Sequence, residues 1–148
     1  MSFDPASDYP LGSRRPDLVT TPGGLSLDQV TLEALQAGRL SAEEMRATPE
    51  TLRRQAAVAL ASGRPALAEN LERAAELARV PSEAILEIYT ALRPRRTTAA
   101  ELERWAARLE ADWGAMRTAA FVREAAAVYA QRGLLTMADE QAETPAAV

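Results

Sequence analysis

No histidine, cysteine or lysine occurs among the 148 residues, and the 17 basic side chains are all arginine. These absences exclude the usual zinc ligands, a thiolate nucleophile, a disulfide and a Schiff-base amine, together with the side chain that ordinarily titrates near neutral pH. Chemistry is left to carboxylates, hydroxyls and guanidinium groups. Aromatic residues are also few, with two Trp, three Tyr and two Phe. No apolar run reaches the ~20 residues that a membrane span requires. The opening MSFDPASDYPLGSRRPD has no hydrophobic centre for a secretory signal, so the chain reads as soluble and cytoplasmic.

What is plentiful is alanine, at 32 residues. Burial stabilises by roughly 25 cal/mol per Å² of apolar area, and a methyl group offers little area. Helices packed on alanine therefore gain little each, and the composition points to a chain that completes its burial against a partner. A net charge of −4 argues against a general polyanion binder.

Residues 1–25 carry Pro5, Pro10, Pro16 and Pro22 with Gly12, Gly23 and Gly24, a spacing that leaves no helix room to nucleate. They read as an extended N-terminal arm with anchors at Phe3, Tyr9, Leu11, Leu18 and Val19. From Ser26 the periodicity is helical, giving a helical domain over 26–135 and a polar, disordered C-terminal tail over 136–148. Ser26 with Gln29 forms a capping box for a helix that Gly38 ends, and Ser41 with Glu44 starts another turn. Thr48 caps a helix with Pro49 at its first position and Gly63 at its end. Glu50 stands four residues before Arg54, the favourable order for an ion pair. A helix from Pro65 carries Leu67, Leu71, Ala74 and Ala78 on one stripe, and Pro81 with Ser82 starts one with Ile85, Ile88, Tyr89 and Leu92. Thr98 with Glu101 opens a helix burying Leu102, Trp105, Ala106 and Leu109, which Gly114 breaks. The last, to Arg132, carries Met116, Ala119, Val122, Ala126 and Tyr129. The expected fold is all-α, an open helical bundle of five to six helices behind the arm, with no strand.

Carboxylates recur as Glu69, Glu72 and Glu76 and as Glu83 and Glu87. Di-metal carboxylate bundles pair such residues with histidine, so these read as solvated faces. Trp105 reads as core, and Trp113 beside Gly114 as core or interface plug. Arginines gather at Arg14 and Arg15, at Arg53 and Arg54, and at Arg93, Arg95 and Arg96. Interleaved glutamates weaken a nucleic-acid reading and favour guanidinium forks at a protein interface. Pro94 holds the last group clear of the helices. The expected partner contacts are Tyr9, Pro10 and Leu11 on the arm and Arg93, Arg95 and Arg96 on the linker.

The strings SDYPL (Ser7 to Leu11), TLEAL (Thr31 to Leu35), TPETLRRQA (Thr48 to Ala56), LAENLERAAELARVP (Leu67 to Pro81), ILEIYTALRPRRTT (Ile85 to Thr98) and AAFVREAAAVYAQR (Ala119 to Arg132) follow one another in an order that resembles a known family. That family is the small (gamma) subunit of the adenosylcobalamin-dependent diol and glycerol dehydratases. The resemblance implies an accessory, non-catalytic subunit with two copies each of large, medium and small chains in the complex. The diol and a metal cation would lie in the large subunit, and adenosylcobalamin would be bound by the partner subunits, not by this chain. It implies no catalytic, cofactor-binding or metal-binding residue here. The reaction would convert 1,2-propanediol to propionaldehyde or glycerol to 3-hydroxypropionaldehyde. Some diol-type members carry a longer N-terminal extension linked to bacterial microcompartments. The six residues before SDYPL, and the segment from Thr21 to Gly24, look closer to the glycerol form. Two other readings stand beside it: a small helical DNA-binding regulator, and an independent carboxylate enzyme.

Overall fold

Side-chain caps and glycine turns set the boundaries of the helices. The computed structural model describes residues 3–136. Among these, the α-helical segments are α1 (Leu11–Arg14), α2 (Leu32–Gln36), α3 (Pro49–Ala61), α4 (Pro65–Leu77), α5 (Ser82–Ala91), α6 (Ala99–Trp113) and α7 (Met116–Gln131). The all-α expectation holds: the described residues form no sheet, only an isolated bridge between Thr20 and Ser26. The tail expected over 136–148 lies, beyond Thr136, outside the described residues.

The hydroxyl of Thr48 accepts the Thr51 N–H at 3.2 Å at the start of α3, with Pro49 in the first turn. Gly63, at φ 72°, turns the chain into α4. The Thr98 box forms as read: its hydroxyl accepts from the Glu101 N–H at 3.3 Å, and the Glu101 carboxylate accepts from the Thr98 N–H at 2.9 Å. Gly114, at φ 63°, separates α6 from α7. Such positive φ values are open to glycine without the Cβ clash that other residues meet.

The chain divides into two compact units, Met1–Arg79 and Val80–Val148. In the first, the short connection makes α3 and α4 an antiparallel hairpin. It packs on Ala56, Ala59 and Ala68, with Leu71 against them. In the second, α6 and α7 form the same motif around Leu102, Ala106, Leu109, Ala115, Ala119 and Val122, all with no exposed surface. Only Leu102, Leu109 and Val122 are large among these, so both cores are thin, as an alanine-rich sequence requires.

The residues expected as one extended arm belong to the same compact unit as α3 and α4. They contain α1 and a 3-10 turn over Pro16–Leu18. Proline spacing stops a long helix from propagating, but single turns need only local polar contacts. The Asp4 carboxylate accepts from Ala6 N–H and the Ser7 hydroxyl, and Arg15 reaches Asp8 and Asp17, both at 2.9 Å. Those bonds hold the Asp4 and Asp17 carboxyls below their usual range, through Ser7 for Asp4 and Arg15 for Asp17.

Other differences are local. The helix expected from Ser26 to Gly38 is a 3-10 turn, Leu27–Gln29, followed by α2 under a second cap at Thr31. The Glu44 carboxylate accepts from Gly23 N–H at 3.3 Å, which brings the loop and the N-terminal segment together. A Cβ at Gly23 would stand 2.1 Å from Glu44 Oε1, so a side chain there would push the Glu44 carboxylate off this bond. Glu50 pairs with Arg53 and Arg79 rather than with Arg54, whose guanidinium instead donates to the Leu18 carbonyl at 2.6 Å. On α4 the buried positions are Ala68 and Ala75, while Leu67 is exposed. The small methyls allow close helix contact, and leucine at the edge of that contact has no room inside it.

Candidate partner-binding surfaces

The expected contact residues fall in two separate units. In the first, Tyr9, Pro10, Leu11, Val19, Val58 and Leu67 contribute to a groove of about 680 Å³. Tyr9 is 58% exposed, whereas Leu11 is 8% exposed and is part of its own unit's interior. Leu11 therefore anchors the segment and Tyr9 offers free aromatic area. Local spacing does not reveal Arg54 as the tether of Leu18, because its four-residue separation from Glu50 suggests a different bond.

In the second unit, Arg93, Pro94, Arg95 and Arg96 are all exposed. Arg95 has φ 59°, uncommon for a residue with a Cβ, and its N–H donates to the Leu134 carbonyl at 2.7 Å. Tyr129 ties the start of the linker by donating its hydroxyl to the Leu92 carbonyl at 2.6 Å. The linker is thus held at both ends, and Arg96 enters a cleft of about 790 Å³ that Leu86, Arg104, Trp105 and Arg108 also line. Arg93 and Arg95 do not line it.

Arg108 lies over both indoles, 5.3 Å from the Trp105 ring centre and 5.2 Å from that of Trp113. Its Nε donates to Asp112 at 3.1 Å. The two tryptophans thus share one guanidinium, a cation–π arrangement, and both are only half-buried. The Trp105 and Arg108 spacing of three, with Asp112 four further on, carries that signal in the sequence. On the other side of the hairpin Arg123 binds Glu103 at 2.9 Å and Glu110 at 2.5 Å. Arg123 holds the Glu110 carboxyl below its usual range, and the two acids raise the guanidinium further. Sequence spacing gives no sign of this fork, because its partners come from another helix.

Many of the arginines are thus engaged with carboxylates, unlike a stripe of free cations facing phosphates. Among the described residues no group of three or more acids could hold a metal ion. No described helix is long and apolar enough to cross a membrane. Exposed apolar side chains occur in both units, Leu32 at 64%, Leu60 at 62%, Leu86 at 66% and Tyr89 at 59% among them. Their frequency fits a chain that meets other proteins.

Comparison with known proteins gives a family model described as the dehydratase small subunit, which matches residues 5–136. The propanediol dehydratase small subunit of Salmonella typhimurium is 52% identical over 126 residues, 85% of this chain and 73% of that protein. The propanediol dehydratase small subunit of Citrobacter freundii is likewise 52% identical over 126 residues, with the same coverage. All six expected contact residues lie inside the matched span.

Proposed function

Since the chain belongs to the dehydratase small subunit family, we propose that it serves as the non-catalytic small subunit of a propanediol or glycerol dehydratase, assembled with large and medium subunits in two copies each. The observation that carries this is the 52% identity to propanediol dehydratase small subunits across most of the chain. Adenosylcobalamin, which supplies the radical when bound, is held by the partner subunits. The chain has no imidazole to offer a cobalt ion, and no lysine or cysteine to act on a substrate. Its own residues bind and position protein. Tyr9 and Pro10 supply contact area in the first unit with Leu11 anchoring them, and Arg93, Arg95 and Arg96 supply donors in the second. Cytoplasmic residence belongs to the same reading, and enclosure in a microcompartment is decided by where a fluorescently tagged complex collects.

Co-expression with the large and medium dehydratase chains tests the proposal. The expected result is one complex containing all three, with a native mass matching two copies of each and adenosylcobalamin-dependent dehydration of 1,2-propanediol or glycerol. Elution of this chain alone, with full activity in the other two, overturns it. So does corrinoid binding by the purified chain without partners.

A further inference from the structure

The cleft in the second unit has a composition unlike the rest of an acidic chain: three arginines, Arg96, Arg104 and Arg108, around Trp105 and the exposed Leu86. Of its two acids, Glu101 is already occupied. One carboxylate oxygen accepts from Thr97, the Thr98 N–H and the Thr98 hydroxyl, and the other faces Arg104 at 3.7 Å. Arg108 uses only its Nε on Asp112, which leaves its terminal N–H groups free of that bond while the indoles fix its plane. No partner for the Arg96 side chain occurs among the described residues. The cleft therefore holds more guanidinium donors than its own acceptors use, against Glu87 as the one remaining acid in its lining.

From this excess we infer that the cleft seats an acidic segment of a partner subunit, with two carboxylates about one helical turn apart and an apolar side chain between them. Arg104 and Arg108 are four residues apart on α6, so their stems stand roughly 5–6 Å from one another on one face; two acids at the same spacing on a partner helix match them, and Arg96, which lines the same cleft and has no described partner, supplies the further guanidinium that the acids meet. Trp105 and Leu86 take the apolar side chain. Arginine and tryptophan are the residues in which interface energy concentrates, and here the arginine arrives already ordered, so less freedom is lost on docking. The inference rests on the subunit reading above and names which surface that reading uses.

The test is a competition. Wild-type and variant small chains, distinguished by mass, are co-expressed in equal amounts with the large and medium chains, and the ratio incorporated into the complex is read by mass spectrometry. Arg96→Gln with Arg108→Gln is expected to be under-incorporated about tenfold or more, as truncating one side of a hydrogen-bonded interfacial charge pair does. Arg132→Gln, exposed at the end of α7, competes evenly. Arg96→Gln alone, which disturbs no described bond, is the arm that survives if the double variant loses helicity, and its expected deficit is severalfold. Even competition by both cleft variants overturns the inference while the complex itself still forms. Failure of the wild-type chain to assemble overturns the subunit reading and the inference with it. A chain ending at Thr136 checks the other occupant, this protein's own acidic residues Asp139, Glu140 and Glu143. Over-incorporation of that chain assigns the cleft to them and overturns the partner assignment.

Discussion

Two leucines one unit shares, Leu109 and Leu86, separate what folds this protein from what it presents. Leu109 has no exposed surface and sits between α6 and α7; Leu86 is 66% exposed on α5. Leu109→Ala removes buried methyls and leaves a cavity, a loss of about 2–5 kcal/mol in comparable cores. Among the described residues that unit has only Leu102, Leu109 and Val122 as large fully buried side chains, and domains are stable by only about 5–15 kcal/mol, so the variant forfeits a large share of the total. Leu86→Ala in the free chain changes stability by less than about 0.5 kcal/mol. In the complex the order reverses. Full burial of a leucine is worth about 1.5–3 kcal/mol, and two thirds of that remains to be gained when a partner covers it. The expected loss on assembly is then about 1–2 kcal/mol, roughly a 5- to 30-fold weaker complex. Both tryptophans, Trp105 and Trp113, lie on α6, so urea unfolding followed by tryptophan fluorescence reports this unit alone. Assembly is read by the same competition with wild type. Near-equal urea midpoints for Leu109→Ala and wild type refute the core argument, and even incorporation of Leu86→Ala refutes the contact.

Thr98→Ala removes the cap of α6 and is expected to cost about 1 kcal/mol in the same fluorescence assay, with Thr98→Ser recovering most of it. Arg54→Gln frees the Leu18 carbonyl, and faster tryptic cleavage after Arg14 is the expected result, Arg15 being shielded by the Pro16 that follows it; an unchanged rate shows that this bond does not hold the segment. Glu110 is depressed below its ordinary value near 4.5 by Arg123. The stability it adds is therefore present in full above that value and lost as pH falls through its lower folded-state value. Arg123→Gln should abolish that part of the loss, seen as a smaller fall in urea midpoint from about pH 6 to about pH 3 than wild type shows.

Helix existence and ends are legible in the sequence because they depend on contacts within a few residues. The Thr48 and Thr98 caps, Pro49 in a first turn, and Gly63 and Gly114 past helix ends each act over one turn of backbone, and residue order alone places them. The candidate surfaces are legible in part. Tyr9 is exposed and Arg96 lines a cleft, but Leu11 faces inward; Arg104, Trp105 and Arg108 share a face of α6 by their spacing, whereas only the fold brings Leu86 and Arg96 to them. The absence of histidine, lysine and cysteine limits the available chemistry whatever shape the chain takes.

What the sequence left to the tertiary structure is every choice between partners of similar local merit. Arg54 could reach Glu50 on its own helix, yet it bonds Leu18, 36 residues away, because the fold brings that carbonyl to it. Leu67 and Ala68 are neighbours on α4, and only the closeness of α3 decides that the methyl goes in and the isobutyl stays out. Arg123 gathers two acids from α6 that stand seven residues apart. Caps and turns are short-range and additive, so the linear order specifies them. Which face is buried, and which guanidinium stays open to a partner, depends on distances that exist only after the chain has folded.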